Sequence, residues 1–446
     1  MGRASLFSPS MIKKDDRKVI NAWAFYDWAN SAYPLVITTS IFPLFFQSRT
    51  SEISRIVDGH EVFYVEFFGR EFINTEIYSY VFSFSFLIVS FLSPILSGVA
   101  DVSGRKKLFL KIFCYIGALS CAMLYFFNGE HLEISMVPVL MASVGFWGSL
   151  VFYNAFLPEI ASNKLQDSVS AKGFSLGYIG SALLLIVILV LSQSAIQMPI
   201  EYGFVMVAVW WVVFAQYTYA FLPENVFERK PIKRDLFGKG FNELKSVWSD
   251  LKEQKNLRAY LRSFFVSSMG VQTVMLMAVL FAKKEIDWGG DGDTGLIVSI
   301  LIIQFIGALG AFVFSKLSQR FGNKPILGLV LLIWIGACLG AYVITTPNEF
   351  YMLAGVVGLV MGGVQSLSRS TYSKLLPKTE DHASYFSFYD VVEKVGIVIG
   401  TFLFGYIEGV TSSMRSSALI LLTFFAVGFI LLLFVKNEES ISPSKS

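Results

Sequence analysis

Twelve times along this chain a mostly apolar run of about 20 residues is followed by a short charged segment. The runs cover approximately residues 20–47, 76–97, 108–127, 135–157, 174–195, 203–222, 260–282, 295–315, 326–346, 350–372, 384–407 and 415–435. A helix of that length crosses the hydrocarbon layer of a bilayer, and it satisfies its own backbone there. The runs are too long and too continuously apolar for barrel strands. Composition agrees: hydrophobic residues make up 54%, charged residues only 15%, and mean hydropathy is +0.60. The reading is an all-α membrane protein. The first run is too long for a signal peptide and lacks a small-residue cleavage site, so it is expected to remain in the mature protein.

Charge placement sets the orientation. Of the 36 Lys and Arg residues, 26 fall in one alternating set of connecting segments, which includes both termini, and 6 in the other. The remaining four, Lys111, Arg262, Arg369 and Lys394, lie within runs. Positive charge marks cytoplasmic segments, so both termini are expected in the cytoplasm and the number of spans is even. The net charge of +3 gives no reason to expect a nucleic-acid partner.

The chain also repeats itself. Asp101-Val102-Ser103-Gly104-Arg105-Lys106-Lys107 follows the second run, and Gln319-Arg320-Phe321-Gly322-Asn323-Lys324 follows the eighth, 218 residues later. Tyr153–Pro158 reads YNAFLP and Tyr372–Pro377 reads YSKLLP, 219 residues apart. A nearly constant offset over two motifs marks a tandem duplication. Duplicated helical halves in an apolar chain point to a solute transporter. The expected organisation is a six-helix half over 1–222, a cytoplasmic linker over 223–259 and a second six-helix half over 260–446. The linker carries Arg229, Lys230, Lys233, Arg234 and Lys239, then Phe241, Leu244, Val247, Trp248 and Leu251 at helical spacing. That pattern predicts an amphipathic helix on the inner leaflet. In the 48–75 segment, Asp58-Gly59 between apolar runs predicts a hairpin.

Ionisable residues inside apolar runs are the functional candidates, because such groups face a cavity or one another. Asp27 lies about two turns into the first run, where a carboxylate costs up to ~2.5–3.5 kcal/mol. Tyr26 precedes it, Asn30 shares its face, and Pro34 kinks the helix one turn on. Gln365 and Arg369 share a face in the tenth run; Arg369 either binds a solute carboxylate or neutralises Asp390 or Glu393. Asp390 and Lys394 are an i, i+4 pair in the eleventh, with Glu393 beside them. Glu159 and Glu224 each follow a Leu-Pro at the end of a run and read as end caps. The three cysteines, Cys114, Cys121 and Cys338, fall inside runs and read as packing residues. The three histidines, His60, His131 and His382, sit in separate loops. No metal or cofactor is expected, and no histidine is available for intramembrane catalysis, so an enzyme is not expected. The chain has no phosphate-binding G-x-x-x-x-G-K-[ST] loop, which argues against ATP-driven transport.

At the 101–107 loop, between the second and third spans, the chain resembles the major facilitator superfamily. Ser97, followed by Gly98, stands where the usual first glycine would be. The resemblance implies twelve helices in two six-helix halves, alternating access, a pathway lined by spans one, four, seven and ten, and a conformational latch at Asp101, Gly104 and Arg105. Gly104 provides the tight turn and Asp101 is placed to pair with Arg105 or to meet a helix N-terminus. A narrower resemblance starts in the first span. Tyr26-Asp27-Trp28-Ala29-Asn30-Ser31-Ala32-Tyr33 resembles the hallmark of the vacuolar amino-acid effluxer family, the autophagy-related branch with many bacterial members. Tyr153–Glu159, Gly362–Ser370 and Phe386–Lys394 extend the resemblance over most of the chain, although Asp390 and Glu393 add carboxylates where the family tends to be neutral. It implies amino acids as solutes, protons as a possible coupling ion and a bacterial inner membrane as location. The expected pathway residues are Tyr26, Asp27, Asn30, Asn154, Gln365, Arg369, Asp390, Glu393 and Lys394. A monomer in the lipid bilayer is expected. The alternative is a membrane sensor or partner-binding protein with the same fold that does not transport.

Overall fold

The computed structural model describes residues 14–57, 60–224, 236–289, 292–411 and 413–436. Asp16 caps the first helix through the backbone N–H of Lys18, and Arg17–Asn30 (α1) runs into a π-helical stretch, Tyr33–Ser40, and then Ile41–Arg49 (α2). The three pieces form one rod. Pro34, which has no N–H to give, opens the π-helical stretch, so the kink expected there takes the form of a wider turn.

Long rods follow in strict alternation. They are Asn74–Ser103 (α3), Lys106–Met123 (α4), Leu132–Ala155 (α5) with the short Leu157–Ile160 (α6), Gln166–Gln193 (α7) and Tyr202–Phe221 (α8). After Leu236–Glu253 (α9) come Lys255–Glu285 (α10), Gly292–Phe321 (α11), Asn323–Val343 (α12), Pro347–Leu375 (α13), His382–Thr411 (α14) and Met414–Leu433 (α15). Among the described residues, 11 rods are long and apolar enough to cross a membrane, with α1 and α2 counted as one. The expected eleventh span corresponds to α14, which is not among those 11. It is a 30-residue helix carrying Asp390, Glu393 and Lys394.

Packing partners repeat. The first rod packs on α7 and α8, α3 on α5, and α4 on α5 and α8. Correspondingly, α10 packs on α14 and α15, α11 on α13, and α12 on α13 and α15. The two turns that share sequence each place a glycine at positive φ, though ψ differs, 20° at Gly104 and 158° at Gly322. Gly104 and Gly322 both have positive φ, 66° and 86°, a conformation that side-chain-bearing residues rarely adopt. Both turns lie at the same end of the bundle as α9, called here the linker end.

At the opposite end, Ile53–Val57 (β1), His60–Phe67 (β2) and Arg70–Ile73 (β3) form an antiparallel sheet in the order β1-β2-β3. It extends the expected hairpin by one strand; Asp58 and Gly59 lie outside the described residues. Beneath it, Phe42, Phe45, Phe46, Tyr78, Phe127 and Phe204 stack in one aromatic cluster.

The amphipathic helix of the linker is α9. Val247 and Leu251 are buried, and Phe241 and Trp248 are exposed. It packs on α3, where the carbonyl of Gly240 occupies the place a Cβ on Gly98 would need. Trp248 also meets the ring of Phe388 on α14, at 5.5 Å between centroids. Arg229, Lys230, Lys233 and Arg234 lie outside the described residues, and so does the Lys239 side chain.

Candidate functional site

The helices α1–α8 meet α10–α15 through a layer of polar contacts concentrated toward the linker end. Its centre is the ion pair of Asp27 on α1 and Arg369 on α13, which are 4% and 3% exposed. Both terminal nitrogens of Arg369 lie 3.1 Å from Asp27 Oδ2, and the Tyr153 hydroxyl donates to the same oxygen at 2.8 Å. Arg369 further donates to the Ser170 hydroxyl, the Ser170 carbonyl and Asn154 Oδ1 at 2.9, 2.8 and 3.3 Å. A guanidinium has five N–H donors, and these contacts engage all of them. The rings of Trp23, Tyr153 and Phe174 surround it, the last at 4.1 Å. A Cβ added at Gly173 would run into Asp27 Oδ2 and lie 3.0 Å from Arg369 Nη2, so the pair closes over a bare backbone.

Two further clasps flank this pair. In the first, the Asp101 carboxylate accepts the backbone N–H groups of Ala383 and Ser384 at 3.2 and 2.7 Å. A carboxylate at the N-terminus of α14 meets both free donors and the positive end of the helix dipole. Beside it, Lys106 and His382 both contact Glu159, His382 through Nδ1 at 2.9 Å. In the second clasp, Asp167 at the start of α7 receives Lys374 at 2.7 Å, Asn323 at 2.9 Å and the Ser318 hydroxyl at 3.2 Å.

Further toward the middle of the helices lies a second polar layer. Tyr178 donates to Gln365 at 2.5 Å, and Gln365 contacts the Met275 sulfur at 3.2 Å. Ser181 approaches Gln304 at 3.5 Å. On α14, Lys394 bonds Asp390 at 2.8 Å and Glu393 at 3.2 Å, and Gln272 on α10 donates to Glu393 at 2.8 Å. The Lys394 ammonium sits 3.6 Å from the ring centroid of Trp147 on α5. Tyr178 and Lys394 each lie 12 residues in from the linker-end start of their helices, about 18 Å at 1.5 Å per residue.

Of the residues singled out in the sequence, Asp27, Asn154 and Arg369 come together in the central pair, with Gln365 about one turn along α13. Asp390, Glu393 and Lys394 form a separate group. Of the two partners considered for Arg369 on the protein side, neither Asp390 nor Glu393 is the one found; Asp27 is. Tyr26 is fully buried among the N-terminal helices, against Tyr153 and Tyr219. Asn30 is buried with its amide nitrogen unpartnered. Gly104 turns the chain as expected, but Arg105 is exposed, and it is Lys106 that approaches Asp101, at 3.7 Å. Glu159 is no plain end cap, since it is a buried acceptor between Lys106 and His382. Trp147, Ser170, Gly173, Tyr178, Gln272, Gln304, Asp167 and Lys374 were not read as site residues. For the glutamines the signal was available, since an amide inside an apolar run is as anomalous as a carboxylate.

The repeated packing of long apolar helices is the all-α fold of the major facilitator superfamily, and solved structures share it. The human organic anion transporter MFSD10 aligns with a TM-score of 0.68 at 12% identity, over 94% of this chain and all of that one. The transporter FucP in its outward conformation aligns with a TM-score of 0.65 at 15% identity, over 95% and 99%. The model of the family described as "Vacuole effluxer Atg22 like" matches residues 15–444, and the chain belongs to that family. Among its relatives is the MFS-type transporter YxiO of Bacillus subtilis, 31% identical over 95% of this chain and 96% of that one.

Proposed function

We propose that the chain moves small polar solutes, amino acids first among them, by alternating access, and that the Asp27–Arg369 pair is its inner gate. The observation that carries this reading is the buried pair itself. It joins the first and tenth rods, it is flanked by both repeat turns, and it spends every donor of Arg369 on protein acceptors. A substrate-binding arginine would keep a donor for its ligand; this one is committed to closure. The solute site is then the mid-depth layer of Tyr178, Gln272, Gln304, Gln365, Glu393 and Trp147, whose amides and carboxylate suit an ammonium and whose aromatic faces suit an apolar side chain. The excess of Lys and Arg supports a cytoplasmic linker end, and the proposed location is a bacterial cytoplasmic membrane.

The test is flux in proteoliposomes over an amino-acid panel, with and without a pH gradient. Wild type is expected to move a subset of the panel. Arg369→Ala and Asp27→Asn are expected to change the rates of all those substrates together with little change in affinity. Selective loss of affinity for carboxylate-bearing solutes in Arg369→Ala would make the pair a binding site instead. Absence of flux across the panel would remove amino acids as substrates.

A further inference from the structure

The group on α14 contains more charge than its surroundings balance. Asp390 and Lys394 are 5% and 1% exposed, and the Glu393 side chain is 18% exposed. With all three ionised, two carboxylates face one ammonium, leaving one net negative charge on this group. Gln272 adds a dipole but no charge. Tyr389 on the same helix has Tyr260 on α10 and Tyr372 and Arg369 on α13 among its electrostatic neighbours. Arg369 is already matched by Asp27. Among the described residues, α3, α5, α9 and α15 bring no charged side chain into a hydrogen bond or ion pair with Asp390, Glu393 or Lys394. A second, independent observation concerns Asp390 Oδ2, which is buried with no hydrogen-bond partner. A bare carboxylate oxygen in such a place is costly while charged and much less so in a neutral carboxyl.

From this geometry we infer that Asp390 and Glu393, bridged by Lys394, form a proton site that takes up one exchangeable proton and couples it to the transport cycle. The proton adds from water to one carboxylate, with Glu393 the more accessible of the two. The group passes from a net charge of −1 to neutral while Lys394 stays an ammonium. Lys394 carries the change across the interface, because its ammonium lies on the face of Trp147 on α5. When the pair is protonated, its hold on Lys394 weakens and the cation–π contact between the two sets of helices is rebalanced. The inference rests on transport by alternating access but on no particular solute.

Trp147 makes the site readable without a solute. The experiment is a pH titration of tryptophan emission from purified full-length protein in lipid nanodiscs, for wild type, Glu393→Gln, Asp390→Asn and Trp147→Phe. Wild type should show a single-proton step, and Trp147→Phe should lose the optical signal. Each amide variant leaves one carboxylate against one ammonium, a balanced pair, and should abolish the step. A flat wild-type titration, or a step that survives in either amide variant, overturns the inference. In proteoliposomes, accumulation driven by a pH gradient should fall in Asp390→Asn to the level seen without a gradient. If the amino-acid panel gives no flux, the optical titration still decides the proton site, so the two readings fail separately.

Discussion

At the scale of single residues, the gate rests on a buried ion pair, and the physics of such pairs is asymmetric. Removing one partner strands the other and costs ~3–5 kcal/mol. Arg369→Ala therefore destabilises the state closed at the linker end by that amount, which is a population shift of ~100-fold or more toward opening. Distances between labels at Lys164→Cys and Lys378→Cys, both exposed at that end, should lengthen. The three native cysteines are buried and do not compete for label. Unchanged distances would show that the pair does not hold the end shut. Gly173→Ala is the complementary case, since it adds a methyl where Asp27 and Arg369 meet. It should open the same distance while leaving both charges in place; a wild-type distance would mean that the helices accommodate the methyl. Asp27 was legible in the sequence because a carboxylate in an apolar run demands an explanation. Ser170 and Gly173 were not. A serine and a glycine in a membrane helix fit ordinary packing, and only the approach of α1 and α13 gives them a role.

At the scale of elements, the repeat turn was legible and its wiring was not. Glycines of positive φ at 104 and 322 follow from the sequence; which lysine or arginine works beside Asp101 does not. Arg105 is the cap before α4, with non-helical backbone, and ends in solvent, while Lys106 and Lys107 in the first turn of α4 turn inward. Lys106→Ala should therefore slow transport far more than Arg105→Ala, with solute binding kept in both. Equal effects would make the turn a charge cluster with no specific clasp. Asp101→Asn gives up the charge and leaves a single side-chain oxygen to accept. Loss of a charged hydrogen bond costs ~1.5–3 kcal/mol, so this variant should shift the linker end about tenfold or more toward opening. Abolished solute binding in the folded variant would put Asp101 in the binding site. Asp167 and Lys374 were missed for a related reason. By sequence alone they sit at the cytoplasmic edges of their spans, among loop charges, and only the meeting of α7 with α13 pairs them.

At the scale of the whole molecule, the repeated packing partners predict that residues 20–222 and 260–435 superpose as two bundles related by rotation about an axis along the membrane normal. An experimental structure with inverted repeats would refute that arrangement. The copies have not remained interchangeable, however. In the first, the turn carries the carboxylate, Asp101, and the partner α14 presents backbone donors. In the second, the turn carries the amide, Asn323, and the partner α7 presents the carboxylate, Asp167. Two N-terminal bundles docked in the same way would thus set Asp101 against Asp167, acid facing acid. The reversal predicts that an N-terminal bundle pairs with a C-terminal one and not with its own kind. Expressed as separate fragments, 1–224 and 225–446 should find each other, and 1–224 alone should not pair with itself until one of those two aspartates is neutralised.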